Sequence, residues 1–154
     1  MQGDAIAVVF HEAKHFTNPA LRAKGGEPAV VSQIRRYRKT LVHHAPSLLE
    51  PYQATCRVLI RLDTTRRQVR STGDAPMLPK VDPLISDVAA GKAKLTIDTN
   101  PRLVIFGFDA DQKNGMLRSI LNTLRQAEPT LPIYAVGDPT TATGTFRPPA
   151  RPKQ

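Results

Sequence analysis

The sequence predicts an α/β layer fold, and three observations predict it. Two β-branched apolar runs, AIAVVF at 5–10 and RLVIFGF at 102–108, read as strands. Apolar residues recur at helical spacing elsewhere, Val30 and Ile34 on one segment and Leu117, Ile120, Leu121 and Leu124 on another. The resulting order of strand, helix, strand, helix, strand builds layers joined by crossover helices.

The first strand follows the turn-like Gln-Gly-Asp at 2–4 and continues to Lys14. A polar, Gly- and Pro-containing loop covers 17–27, and Pro28, which has no N–H to lose, opens a helix running to His43. Pro46 opens a second helix, with Leu48, Tyr52, Cys56, Leu59 and Leu62 on one face, ending in the basic run Arg66, Arg67, Arg70. Residues 71–83 form a connector, followed by a helical turn at 84–90 and a weak strand at 94–97. The strand at 102–108 is the clearest buried one, and a helix at 112–126 and a strand at 131–136 follow it. The expected domain is 1–138, and the Pro-rich stretch 139–154, without apolar periodicity, reads as a disordered tail.

Twenty-two Lys and Arg against 13 Asp and Glu give a net charge of +9 and favour a polyanionic partner, nucleic acid before others. A single cysteine, Cys56, excludes an internal disulfide framework and a cysteine-rich zinc site. No run approaches the roughly 18 apolar residues that cross a bilayer, and the N-terminus does not show the basic flank, apolar region and small-residue cleavage site expected of a secretory leader. The expectation is a cytoplasmic protein with no membrane partner.

Along a strand, alternate side chains share a face, so Ile6, Val8, Phe10, Glu12 and Lys14 line up together. A carboxylate is a hard oxygen ligand for Mg²⁺, and an ammonium beside it can orient a water and balance charge on a phosphate. On the following helix Gln33 and Tyr37 are four apart and share a face. Taken by itself, Glu-x-Lys is a common solvated ion pair and Gln33 and Tyr37 belong to any amphipathic helix; their co-occurrence carries the signal.

The segment Glu12-Ala13-Lys14, a basic loop with Phe16 and Arg22, then Gln33-Ile34-Arg35-Arg36-Tyr37 resembles the PD-(D/E)xK, or restriction-endonuclease-like, nuclease superfamily in its variant with a Gln-x3-Tyr helix. The resemblance covers 5–43, with a looser fit of the 102–108 strand. It implies a mixed sheet flanked by helices and hydrolysis of DNA phosphodiesters with Mg²⁺ or Mn²⁺. The metal ligands it implies are Glu12 and the backbone carbonyl of Ala13. It also implies Lys14 beside the attacking water, Gln33 as support and Tyr37 as a packing or positioning residue. Arg22, Arg35, Arg36, Arg38 and Lys39 are the candidate nucleic-acid contacts.

One element of that family is missing. It requires a further Asp upstream of the Glu, and the upstream acid here, Asp4, is separated from Glu12 by eight residues of strand, or roughly 26 Å. Either the Asp lies on a segment outside this chain, or another carboxylate serves, with Asp109 at the end of the strong strand the internal candidate. The sheet would then lack its first strands, and a preceding segment or a partner chain would complete both sheet and metal site. The alternative is a non-catalytic nucleic-acid-binding or assembly domain on the same scaffold.

A rival motif overlaps the same residues. His11-Glu12-x-x-His15 matches the H-E-x-x-H of zinc metalloproteases, which requires a helix where the preceding AIAVVF favours a strand. Gly91-Lys92-Ala93 lacks the remainder of a phosphate-binding loop, and His43-His44 reads as a solvated helix end.

Overall fold

The structure is a computed structural model that describes residues 5–23, 25–70 and 80–138, the Arg70 side chain excepted. Asp4, residues 71–79 of the connector and the 139–154 tail lie outside the described residues. The elements in chain order are β1 (Ile6–Val8), β2 (His11–His15), a 3-10 turn (Pro19–Leu21), α1 (Ala29–Arg70), α2 (Pro83–Ala89), β3 (Leu95–Ile97), β4 (Arg102–Phe106), α3 (Ala110–Asn114), α4 (Met116–Ala127) and β5 (Ile133–Val136). The α/β alternation is present. The described residues form two compact units, 5–8 with 41–98 and 9–40 with 99–138.

In the first unit β1 and β3 run parallel, Ile6 opposite Leu95 and Val8 opposite Ile97. Helix α2 starts where the sequence asks it to: Pro83 occupies the first turn and the Asp82 carboxylate accepts the Leu84 N–H at 2.8 Å. Helix α1 contributes its residues from Leu41 onward. Among the described residues no helix is long and apolar enough to cross a membrane.

In the second unit the strand order is β2-β4-β5, all parallel. Leu103 and Ile105 are fully buried and belong to one cluster with Phe16, Leu21, Val30, Val31, Ile34, Leu117, Ile120 and Leu124. The first turns of α1, the loop before it and α4 thus cover a single apolar sheet face. The loop earns its place through Asn18, whose side chain accepts the Ala20 N–H at 2.9 Å and starts the 3-10 turn that buries Leu21.

Four expectations are corrected here. The sheet is not mixed: every strand pair among the described residues is parallel, because the two strands of each pair are joined through helices and not through a hairpin. The first strand is not continuous: β1 pairs with β3 and β2 with β4, because between Val8↔Ile97 and His11↔Arg102 the two residues 9–10 stand against the four residues 98–101 and the ladder breaks. Pro46 does not open a new helix, since α1 runs through both Pro46 and Pro51. Proline's fixed φ is itself helical, so each removes one backbone bond and crowds the carbonyl four residues earlier without ending the helix. The helix expected at 112–126 is two, α3 and α4, divided at Gly115.

Strand β4 ends at Phe106 because Gly107 turns to φ +79°, a conformation that side chains resist. A Cβ at Gly107 would also run into the His15 ring, which packs edge-on against Phe106 and bonds the Thr17 hydroxyl through Nδ1 at 2.8 Å. Gly107→Ala is therefore expected to cost ~1–2 kcal/mol from φ alone, with the loss of the His15 contacts on top. The urea midpoint of the variant checks it; an unchanged midpoint would show that the turn relaxes freely.

Candidate functional site

Glu12 and Lys14 lie on β2, the edge strand of the three-stranded sheet, at positions where the apolar row of the core meets solvent. In parallel pairing, facing residues point the same way, so Glu12 continues the row of Leu103 and Ile133, and Lys14 the row of Ile105 and Ala135. The two charged side chains are consequently only 15% and 16% exposed. Their ion pair, Lys14 Nζ to Glu12 Oε1, is 2.7 Å.

The amphipathic pattern of α1 brings the third group in. Val30, Val31 and Ile34 are buried against the sheet, which turns the neighbouring Gln33 toward the strand edge. Its amide Nε2 donates to Glu12 Oε1 at 3.0 Å. One carboxylate oxygen, Oε1, therefore meets both the ammonium and the amide. Glu12, Lys14 and Gln33, 21 residues apart from first to last, meet at this oxygen.

The backbone beside them is oriented as well. Phe10 O accepts from Arg102 N–H at 2.9 Å and Phe16 N–H donates to Phe106 O at 2.7 Å, so even-numbered residues of β2 face β4. By the alternation of a parallel ladder, the Ala13 carbonyl faces the open edge. That edge lies next to the Glu12 carboxylate in sequence, and both donors are hard oxygens.

Asp109 does not join this group. Glu12 stands opposite Leu103, and β4 runs on past that level to Phe106 before the chain turns at Gly107. Asp109 lies beyond the turn as the N-cap of α3, accepting Gln112 N–H at 2.7 Å while the Gln112 side chain accepts the Asp109 N–H at 3.2 Å. This reciprocal capping box explains the acid without a metal. Asp109→Ala is expected to cost ~1 kcal/mol, read from thermal unfolding, and to leave metal affinity unchanged. Among the described residues no three His, Cys, Asp or Glu side chains are grouped to hold a metal ion.

The histidine pair is likewise separated. His11 and His15 are the two ends of β2, ~13 Å apart along an extended chain, so the helix on which H-E-x-x-H would bind zinc is not formed.

The five basic candidates divide sharply. Arg22 donates to the carbonyls of Asn18 at 3.1 Å and Phe16 at 3.2 Å, and stacks over the Phe16 ring, so it pins its own loop. Arg35 binds Glu128 at 2.8 Å, Glu27 at 2.9 Å and the Ala127 carbonyl at 2.9 Å. Arg38 binds Glu128 at 3.0 Å and Asn100 at 2.8 Å. These three are committed to holding the fold. Arg36 and Lys39 are exposed and make no ion pair among the described residues. In the other unit Arg66 and Arg67 share Asp63, each at 2.7 Å, and hold its carboxyl below the ordinary range, Arg67 contributing most.

Tyr37 is not a packing residue, because the face of α1 that carries it points outward and leaves it 43% exposed. With Gln33, Arg36 and Thr40 it lines an open depression of about 430 Å³. Sequence reading missed Glu128, which no local pattern marks: its partners Arg35 and Arg38 lie 93 and 90 residues earlier. Comparison of the chain with protein-family models, with curated proteins and with solved structures returns no match.

Proposed function

We propose that the Glu12–Lys14–Gln33 cluster is the core of a nuclease site of the PD-(D/E)xK kind, acting on DNA phosphodiesters with Mg²⁺ or Mn²⁺. The observation that carries it is the convergence of the Gln33 amide and the Lys14 ammonium on one oxygen of Glu12. A solvated surface ion pair has no use for a third group arriving from another element, nor for burial to about one-sixth exposure.

The donors fit the metal in kind. Glu12 Oε2 and the Ala13 carbonyl are the oxygens that would hold it, and Mg²⁺ commonly takes one or two carboxylates and completes its shell with water and substrate phosphate. When bound, a divalent cation lowers the pKa of a water and neutralises phosphate charge. The residues themselves do the rest. Gln33 and Lys14 hold Oε1 and thereby set the direction of Oε2. Lys14, on the same face, is placed to donate to the attacking water or to a phosphate oxygen as negative charge develops. The apolar row of Leu103 and Ile105 behind them keeps bulk water from one side.

A second reading, a nucleic-acid-binding domain that does not cut, is favoured by one observation: among the described residues no group of three or more His, Cys, Asp or Glu side chains is placed to hold a metal ion. Nicking of supercoiled plasmid in Mg²⁺, in Mn²⁺ and in EDTA separates the two. Metal-dependent cleavage by the pure protein supports the nuclease; salt-dependent binding with no cleavage under any metal supports the second reading.

A further inference from the structure

We infer that the outward strip of α1 formed by Gln33, Arg36, Tyr37 and Thr40 is a subsite for an unpaired nucleic-acid strand, with Arg36 holding a phosphate and Tyr37 carrying a base. The inference rests on the nucleic-acid reading above and assigns the form of substrate that this site takes.

Three features of the strip carry it. The first is selective freedom of charge. Of three arginines within one turn of helix, Arg35 and Arg38 are locked to Glu128, Glu27 and Asn100, whereas Arg36 is exposed with no ion pair among the described residues. A guanidinium in this state presents its planar fork of donors outward, the geometry that recognises phosphate in a bidentate manner. The second is an aromatic ring in the open. Tyr37 is 43% exposed in a chain of which only 5% is aromatic, beside a cation and away from the core that would otherwise use it. The third is continuity with the candidate site. Gln33 lines the same depression and also donates to Glu12, so a strand held at Arg36 leads directly to the acid–lysine pair.

The chemistry selects between nucleic-acid forms. In a duplex the faces of the bases are stacked on one another, and what the surface offers is phosphate and groove edges. A single strand exposes base faces that an aromatic side chain can stack upon, each such contact being sequence-tolerant. Arg36 by itself would serve either form. Tyr37 serves only the unpaired one. Thr40, one turn beyond Arg36, adds a hydroxyl that can donate to phosphate or sugar, and the depression is within the roughly 300–1,000 Å³ range of small-ligand pockets.

The test is binding of fluorescent oligonucleotides, a 12-nucleotide thymidine strand and a 12-base-pair duplex, to the full chain in EDTA, where no cleavage intervenes. The unmodified protein is expected to prefer the single strand. Tyr37→Leu should weaken the single strand about tenfold and leave the duplex unchanged, and Tyr37→Phe should retain the preference. Arg36→Gln should weaken both, with the slope of log affinity against log salt reduced by about 1. Arg118→Gln, an exposed cation on α4, is the control for charge alone. Equal effects of Tyr37→Leu on both forms, no effect at all, or an Arg118→Gln loss equal to that of Arg36→Gln would overturn the subsite. Since Glu12→Gln leaves the strip intact, cleavage lost with single-strand preference retained supports the subsite, and plasmid nicking that persists without the Tyr37 effect removes the subsite alone.

Discussion

Glu12→Gln is expected to lower metal-dependent cleavage by ~10³-fold. The substitution keeps the shape of the side chain and an oxygen for Gln33 to meet, and it removes the charge that would hold a divalent cation. Lys14→Met should cost ~10²–10³-fold for the complementary reason, the loss of the ammonium near the reacting phosphate. Gln33→Ala, which acts through Glu12, should cost ~10-fold, as supporting groups of metal ligands do. Single-turnover rates on plasmid measure all three. A structural account of the same cluster predicts something else. Glu12→Gln leaves the Lys14 ammonium, only 16% exposed, without its counter-ion, so the variant should also lose stability. Combining it with Lys14→Met removes that stranded charge and should restore stability while activity stays lost. Cleavage at the unmodified rate in Glu12→Gln would sink the nuclease assignment.

The parts of this fold that were legible in the sequence are those set by local periodicity. Alternation on 5–14 placed Glu12 and Lys14 on one face, and the four-residue spacing of Gln33 and Tyr37 placed both on one side of a helix, which the structure retains. What remained hidden depends on distant partners. The strand pairing that splits β1 from β2 is decided by the residues 98–101, some 90 residues away, which outnumber the facing residues 9–10. The same holds for Arg35, Arg36 and Arg38, which look alike in sequence; the arrival of Glu128 and Asn100 separates Arg35 and Arg38, which hold the fold, from Arg36, which makes no ion pair among the described residues. Tyr37 shows the limit from the other side. Helical spacing fixes that it lies near Gln33, yet the roughly 40° by which residues four apart differ around the axis is enough to let Gln33 reach Glu12 and leave Tyr37 half in solvent. Pro46 and Pro51 mislead because proline's rule as a helix starter is local, whereas this long helix absorbs the lost bond and the ring crowding at each.

Glu128 is expected to be the largest single polar contributor to stability, with Glu128→Ala costing ~2–4 kcal/mol. It is 8% exposed, and its carboxylate accepts from Arg35 Nε, Arg38 Nη1 and the Thr130 hydroxyl at 2.8, 3.0 and 3.1 Å. It sits at the C-terminal end of α4, where the helix dipole disfavours an acid. The arginines overcome that cost, and Arg35 also satisfies the last-turn carbonyl of Ala127. Removal of the carboxylate leaves two guanidinium groups facing each other across the gap. The pH dependence follows from the same contacts. The hydrogen bond from Arg35, followed by that from Arg38, holds the Glu128 carboxyl below its ordinary value of 4.5. In acid the unfolded chain therefore takes up this proton before the folded one does. The stabilisation is complete above about pH 4.5 and drains away as the pH falls through the lowered value. Denaturant midpoints measured between pH 6 and ~3 should fall more steeply for the unmodified chain than for Glu128→Gln, which has no such proton to bind. Asp63, also held low by its arginines, contributes equally to both proteins and cancels in the difference. Identical acid slopes for the two would show that the Arg35–Glu128–Arg38 lock contributes nothing to folding.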